Sequence, residues 1–283
     1  MSLLLGTNAF PAPGEGGRRQ AEALATWRGL QGVVLANLQW PDDVYPVDGF
    51  ETHPVLRADS HTVTGRTGRR LPVMNELFDR LAELAEARGH AWFAFANSDI
   101  SITQAAVDRI LTGGFEGYAF ARMDYDPETR EDLDMVVAGT DLYAMRVDWW
   151  RTHRRRFRPY IASEGVWDNV YAAILLAHAD AVVLHRDPLI RHERHPPGDW
   201  AASPFARWVN YMAALDRPYF TLWAVYYHRL MEMRARGPVD EAAELALQRE
   251  VFRYRPSPLQ RAVQAGRALK AAARWYARPR SDR

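Results

Sequence analysis

The sequence contains no cysteine, and this absence excludes disulfide bonds and thiolate metal sites. Any bound metal must therefore be held by His, Asp, Glu, Asn or water. Long apolar runs are also missing, since no stretch approaches the roughly 20 apolar residues of a membrane-spanning helix. The segment MSLLLGTNAF lacks the basic start and the long apolar run of a signal peptide, so we expect a cytoplasmic protein.

The sequence also lacks an excess of charge of either sign. The net charge is +1, and Lys270 is the only lysine among the basic residues. This balance predicts no general attraction for nucleic acid. The 283 residues, 48% hydrophobic and 25% charged, are typical of a globular protein with a sizeable core, either as one large domain or as a domain with an appendage.

Apolar strands and amphipathic helices alternate over the first 200 residues. This alternation predicts an α/β fold with a mainly parallel central sheet and helices on both faces, over residues 1–200. Residues 201–283 are predicted to form a helical extension. The clearest helices are expected at 71–88, with Pro72 in the first turn, and at 164–179.

The apolar run at 91–96 ends abruptly on Asn97, Ser98 and Asp99. Open α/β sheets bind ligands at the carboxyl ends of their strands, so this triplet is a candidate binding site. The alternative is a helix cap, in which Asp99 or Ser101 caps the helix that begins near Ile102.

Two further polar clusters follow later in the chain. Glu164 and Asp168 are four residues apart and are predicted to share one face near a helix N-terminus, where a carboxylate stays ionised and can act as a base. The alternative is that these acids serve only to complement the helix dipole. His192 and His195 are three apart and can reach one metal, or they are surface histidines.

The order and spacing of these clusters resemble those of glycosyltransferases of the GT-A type, over residues 2–200. The N-terminal helix has the form Q-x-x-A-x-x-x-W, and later elements read G-x-D-L-Y, E-x-x-W-D-N and H-x-x-H. The residues that carry the resemblance are Gln20, Ala23, Trp27, Asn97 to Ile100, Gly139, Asp141, Leu142, Tyr143, Glu164, Trp167, Asp168, Asn169, His192 and His195.

The resemblance implies that Asn97-Ser98-Asp99 is a degenerate form of the family's Asp-x-Asp metal motif. It implies that Asp99, with His192 or His195, holds Mn²⁺ or Mg²⁺, weakly or dispensably because Asn97 replaces a carboxylate. The base would be Asp168, with Glu164 as the alternative. The donor or acceptor would be bound by Asn97, Ser98, Arg122, Asp141 and Trp167.

The implied partners are a nucleotide-sugar donor and a hydroxyl acceptor, which could be a glycan, a lipid-linked glycan or a small molecule. Arg66, Arg69, Arg70 and Arg122 could pair with the diphosphate, or lie solvated at the surface. Two rival functions are a nucleotidyltransferase on the same architecture and a non-catalytic protein that binds sugar or nucleotide.

The C-terminal segment 258–283 is basic and amphipathic, with interleaved apolar residues. One interpretation is peripheral contact with an anionic membrane, where lipid-linked acceptors occur. The other is a helix packed on the protein with a solvated basic face.

Overall fold

The computed structural model describes residues 2–196, 202–253 and 258–276, and the fold is mixed α/β. The strands are β1 (Leu3–Thr7), β2 (Val33–Gln39), β3 (Glu51–Pro54), β4 (Trp92–Ala96), β5 (Ile100–Ile102), β6 (Gly117–Phe120), β7 (Arg122–Tyr125), β8 (Asp132–Val136), β9 (Leu142–Arg146), β10 (Ala181–Leu184) and β11 (Ile190–Glu193).

The helices include most of those expected, with shifted ends. They are α1 (Gly14–Trp27), α2 (Ser60–Thr64), α3 (Met74–Ala87), α4 (Gln104–Thr112), α5 (Val147–His153), α6 (Trp167–His178), α7 (Ala206–Leu215), α8 (Arg217–Arg236), α9 (Glu241–Phe252) and α10 (Pro258–Tyr276). Within the described ranges, none of these helices combines the length and apolar character needed to cross a membrane. Residues 277–283 of the basic C-terminal segment lie outside the described residues.

The chain divides into two compact units, each built from separate stretches of sequence. The first unit contains residues 2–57, 76–155 and 179–196, and the second contains residues 58–75, 156–178 and the described residues from 202 onward. The predicted boundary near residue 200 stays a prediction.

The first unit is built on a seven-stranded sheet in the order β10-β6-β9-β4-β1-β2-β3. The prediction of a mainly parallel sheet is wrong, because the sheet is mixed. Strand β9 lies between β6 and β4 and runs antiparallel to both, whereas the other neighbouring pairs are parallel. The chain enters β9 after the β7–β8 hairpin, so no crossover helix precedes it and an antiparallel insertion is possible.

The core of the first unit lies around the centre of this sheet. Every residue of β1 and β4 is buried, so both faces of the sheet are covered. Helix α3 packs on one face, where Phe78 lies 5.6 Å from Phe95, measured between ring centroids. Gly6 permits this close approach, because a Cβ at Gly6 would overlap the side chain of Leu81.

A four-stranded sheet in the order β5-β11-β7-β8 completes the first unit. Strand β11 runs antiparallel to β5 and parallel to β7. Because β5 begins four residues after β4 ends, the turn between them joins the two sheets. Helix α4 is capped by neither Asp99 nor Ser101, contrary to one prediction. Its N-cap is Thr103, whose Oγ1 accepts a hydrogen bond from the backbone N–H of Ala106.

The second unit is mainly helical. Helix α6 packs against α8, α8 packs against α9, and α7 packs against α10. The helix predicted at 71–88 begins only at Met74, because Pro72 and Val73 form bridges with Asp59 and Ile161 instead. Leu71 then joins a small apolar cluster with Ile161 and Phe205.

Candidate functional site

A cluster of three metal-ligating side chains lies where the two sheets of the first unit meet. Asp99 occupies the turn between β4 and β5, and the next residue, Ile100, is the antiparallel partner of His192 on β11. Strand pairing therefore brings two residues together that are far apart in sequence. His195 lies just beyond the end of β11 and reaches the same point.

The three side chains present one ligand atom each, and these atoms lie within 4.8 Å of one another. Asp99 Oδ2 is 3.6 Å from His192 Nε2 and 3.9 Å from His195 Nε2. The two Nε2 atoms are 3.1 Å apart. His192 is 6% exposed, whereas Asp99 is 37% exposed, so the cluster has a buried base and a rim open to solvent.

The second nitrogen of each imidazole is held by an acceptor. His192 Nδ1 lies 3.0 Å from Asp124 Oδ1, and His195 Nδ1 lies 2.9 Å from the carbonyl oxygen of Pro196. A carbonyl oxygen can only accept, so His195 carries a proton on Nδ1. Both rings are thereby oriented with Nε2 towards Asp99, which is the arrangement in which histidines bind metals.

Opposite charges shift the pKa values of this cluster in opposite directions. Burial opposes protonation of His192, but hydrogen bonds to the carboxylates of Asp124 and Asp99 outweigh it and raise the pKa of His192 to about 9. Burial also opposes ionisation of Asp99, yet the two histidines hold its pKa well below the ordinary range. The side chains therefore form a charged pair that a divalent cation could enter in exchange for a proton.

A chain of polar contacts continues from this cluster and returns to Asn97. Arg122 Nε donates to Asp124 Oδ1 at 2.9 Å, and Arg122 Nη1 donates to Asp141 Oδ2 at 3.0 Å. Asp141 Oδ1 accepts from Asn97 Nδ2 at 3.0 Å. The amide nitrogen of Asn97 thus pairs with Asp141.

Helix α1 supports the turn that carries Asp99. Ser98 Oγ donates to Gln20 Oε1 at 2.8 Å, and Trp27 Nε1 donates to the carbonyl oxygen of Ile100 at 2.7 Å. Gln20 and Trp27 are seven apart and lie on the same face of α1, so the helix contacts the turn at both ends. The role of Ser98 in substrate binding stays a prediction.

Sequence reasoning missed Asp124, which anchors His192. Asp124 lies on β7, a strand separate from β6 that runs from Arg122 to Tyr125. An Asp at a buried position of a strand could have indicated a functional residue, because a buried carboxylate needs a charged or hydrogen-bonding partner.

Glu164 belongs to the second unit and is 9% exposed. Its Oε1 accepts a hydrogen bond of 2.7 Å from Ser203 Oγ, while Oε2 is buried without a hydrogen-bond partner among the described residues. Burial raises the pKa of Glu164, and the single hydroxyl donor only partly offsets this. The carboxyl group is therefore biased towards its protonated form.

The backbone around Glu164 is strained. Ser163 has φ 63° and Val166 has φ 80°, in a region that residues other than glycine rarely adopt. The strain at Val166 is the larger because its side chain is β-branched. Such strain concentrates at functional sites and persists only where surrounding structure enforces it.

The prediction that Glu164 and Asp168 share a helix face is wrong. Helix α6 begins at Trp167, so Asp168 lies in its first turn and Glu164 precedes it in the strained turn. Trp167 is 4% exposed, and its ring packs edge-on against Tyr171 at 5.8 Å. The substrate contact assigned to Trp167 stays a prediction.

No protein-family model matches this chain, and no curated protein matches its sequence. The chain is similar to the solved structure of S. aureus TarS 1–349 with UDP-GlcNAc, with a TM-score of 0.49 and 9% identity over 89% of this chain and 72% of that one. It is similar to the mannosyltransferase PcManGT of Pyrobaculum calidifontis with GDP-Man and Mn²⁺, with a TM-score of 0.39 and 11% identity over 96% and 86%. With TM-scores below 0.5, these similarities decide neither fold family nor activity.

Proposed function

We propose that this protein is a glycosyltransferase that moves a sugar from a nucleotide-diphosphate donor to a hydroxyl acceptor. The observation that carries the proposal is the convergence of Asp99, His192 and His195 at the joint of the two sheets. This cluster follows the carboxyl end of β4, which is the end where α/β sheets bind ligands.

The donor atoms of the cluster fit a divalent first-row transition metal. Two imidazoles and one carboxylate suit a divalent transition metal better than Mg²⁺, which prefers oxygen ligands alone, so Mn²⁺ is the better match of the two cations that the resemblance implies. We therefore propose Asp99, His192 and His195 as ligands of Mn²⁺, with Asp124 orienting His192. When bound, the cation would supply charge neutralisation to the leaving diphosphate.

We propose Glu164 as the general base, with Asp168 as the alternative. In an inverting transfer the acceptor oxygen forms a bond to the anomeric carbon, and the bond from that carbon to the diphosphate oxygen breaks. The diphosphate leaves with the electron pair, and the acceptor proton passes to the carboxylate. A raised pKa and one unpartnered oxygen suit Glu164 to this step.

Arg122, Asp141 and Asn97 are proposed to position the site. Arg122 forms ion pairs with two carboxylates, those of Asp124 and Asp141. Burial lowers the pKa of Arg122, but the two carboxylates raise it by more, so the pKa lies above its ordinary value. Its charge is thus largely balanced inside the protein. This supports a role in fixing Asp124 and Asp141 more than direct pairing with a diphosphate.

A thermal-shift titration tests the proposal. Ligands that bind only the folded protein stabilise it and so raise its Tm. At a ligand concentration of ~100 times Kd, the free energy of unfolding increases by about 2.7 kcal/mol. We expect Mn²⁺ with a UDP-, GDP- or dTDP-linked sugar to raise the Tm more than either alone. Asp99→Ala should lose this joint effect, and Asp48→Ala, at a side chain 89% exposed, should retain it.

The matched activity assay measures release of nucleoside diphosphate from the responding donor. Release by the wild type and none by Asp99→Ala would support transfer. Release of pyrophosphate from a nucleoside triphosphate would instead favour a nucleotidyltransferase. A Tm shift without release of either product would favour a non-catalytic binding protein, and no shift with any donor would reject the proposal.

A further inference from the structure

Almost all the charged side chains near the C-terminus are basic. Between Val251 and Ser281 the sequence contains no Asp or Glu. The same stretch contains these basic residues: Arg253, Arg255, Arg261, Arg267, Lys270, Arg274, Arg278 and Arg280. A segment of this composition is attracted to anionic surfaces even though the chain as a whole is nearly neutral.

Helix α10 displays part of this charge on one exposed stripe. Arg267, Lys270 and Arg274 are spaced by three and four residues, so they lie on the same side of the helix. All three side chains are exposed, and no salt bridge to them is formed by the residues that the structure describes. Their charge is therefore available to a partner.

The exposed side of α10 also carries apolar side chains next to the basic ones. Leu269 is 72% exposed and Val263 is 47% exposed, and the exposure of Leu269 is the highest among the exposed large apolar side chains of the described ranges. The neighbouring exposed positions Ala262 and Ala273 add only small side chains. Exposing a leucine side chain to water is unfavourable, so this face of α10 is suited to an apolar environment beside anionic groups.

The other side of α10 is packed within the second unit. Ala268, Ala271 and Ala272 are partly buried, and the helix lies against α7. Packing thus fixes which side of the helix faces outward. Within the part of the chain that the structure describes, the basic stripe and Leu269 form an exposed surface.

We propose that α10 binds an anionic membrane surface, with Arg267, Lys270 and Arg274 on the lipid phosphates and Leu269 and Val263 in the headgroup region. A basic helix with exposed apolar residues lies in the membrane interface by this combination of forces. A nucleic acid would use the same charges but would gain nothing from Leu269. The proposal rests on the helix surface alone and is independent of the proposed transferase activity.

Co-sedimentation of the full chain with vesicles tests this binding. We expect binding to vesicles of phosphatidylcholine with phosphatidylglycerol, and little binding to phosphatidylcholine alone. The triple variant Arg267→Ala/Lys270→Ala/Arg274→Ala should bind roughly 100-fold more weakly, since each basic residue contributes about a five-fold factor near an anionic surface. Alanine preserves the helix, so the variant should keep its circular-dichroism spectrum.

A matched control removes three exposed arginines elsewhere, in Arg186→Ala/Arg217→Ala/Arg236→Ala, and should bind like the wild type. Leu269→Ser should weaken binding and leave its salt dependence unchanged, because it removes only the apolar contact. Equal loss in the control variant, equal binding to neutral vesicles, or no binding to anionic vesicles would overturn the proposal. So would tighter binding to an oligonucleotide that displaces the vesicles.

Discussion

Asp99 of the first unit and Glu164 of the second are both carboxylates at breaks in regular structure, and their surroundings differ in one respect. Asp99 faces two histidines, at 3.6 and 3.9 Å, whereas Glu164 receives a single hydroxyl hydrogen bond of 2.7 Å. A neutral hydroxyl and a protonated imidazole, such as that of His192, have very different effects on a carboxylate. The contrast shows how the pKa values of two carboxyl groups with different partners shift in opposite directions.

The pKa of each group follows from these partners. Burial raises the pKa of both, but the histidines overcome burial at Asp99 and lower it, while Ser203 does not overcome burial at Glu164. Asp99 therefore keeps its negative charge and suits a cation. Glu164 can exchange a proton nearer neutral pH and suits a base, which is the way enzymes divide roles between two carboxylates.

The largest effect on kcat with donor binding retained is expected from Glu164→Gln, which keeps the shape of the side chain and removes the proton acceptor. We expect kcat for sugar transfer to fall by about 10²–10⁴-fold, as for loss of a general base. The KM for the donor and the joint thermal shift with Mn²⁺ should change little. Asp168→Asn is the matched control and should keep most of kcat.

The pH profile of the wild type gives an independent measurement. The base must be ionised, so kcat should rise with pH through the pKa of Glu164, which lies above the ordinary value for glutamate because burial raises it. This limb should vanish in Glu164→Gln. Loss of kcat in Asp168→Asn with retained kcat in Glu164→Gln would reverse the assignment.

A smaller effect is expected at the other carboxylate site. Asp124 holds Nδ1 of His192 at 3.0 Å, and loss of such an orienting carboxylate weakens metal binding by about 10–100-fold. We expect this loss for Mn²⁺ in Asp124→Asn, measured by calorimetric titration. Asp134→Asn is a matched control on the same sheet, since its side chain is 79% exposed and it too lies beside Arg194. Equal Mn²⁺ affinity in both variants would contradict the orienting role.

The sequence pointed to Asp99 with His192 or His195 as metal ligands. The structure places these three side chains close together, and their role as ligands stays a prediction. The signal at Asp99 was local, because this residue closely follows the apolar strand β4. Gln20 and Trp27 were also singled out, and the structure adds what they contact: the side chain of Ser98 and the carbonyl oxygen of Ile100. Asp124 was missed because its partner, His192, is 68 residues away and only strand register joins them.

The error at Glu164 has a backbone cause. A spacing of four between Glu164 and Asp168 predicts a shared helix face only if the helix already includes Glu164. The left-handed φ of Val166 prevents a continuous helix between Glu164 and Asp168, and α6 therefore starts at Trp167. Side-chain periodicity carries no information about such strain. The antiparallel placement of β9 was missed for a related reason, since strand direction depends on connections and not on apolar content.

The smallest effect is expected from relieving that strain. A positive φ costs a residue other than glycine about 1–3 kcal/mol, and glycine recovers most of this at its own entropic cost of roughly 1 kcal/mol. Val166→Gly should therefore raise the free energy of unfolding by up to about 1 kcal/mol in denaturant titration. Val170→Gly, buried within α6, should lower it. If the strained turn positions Glu164, Val166→Gly will be more stable and yet slower, with kcat reduced and Mn²⁺ affinity unchanged. A variant both more stable and equally active would show that the strain at Val166 serves no role in placing the carboxyl group.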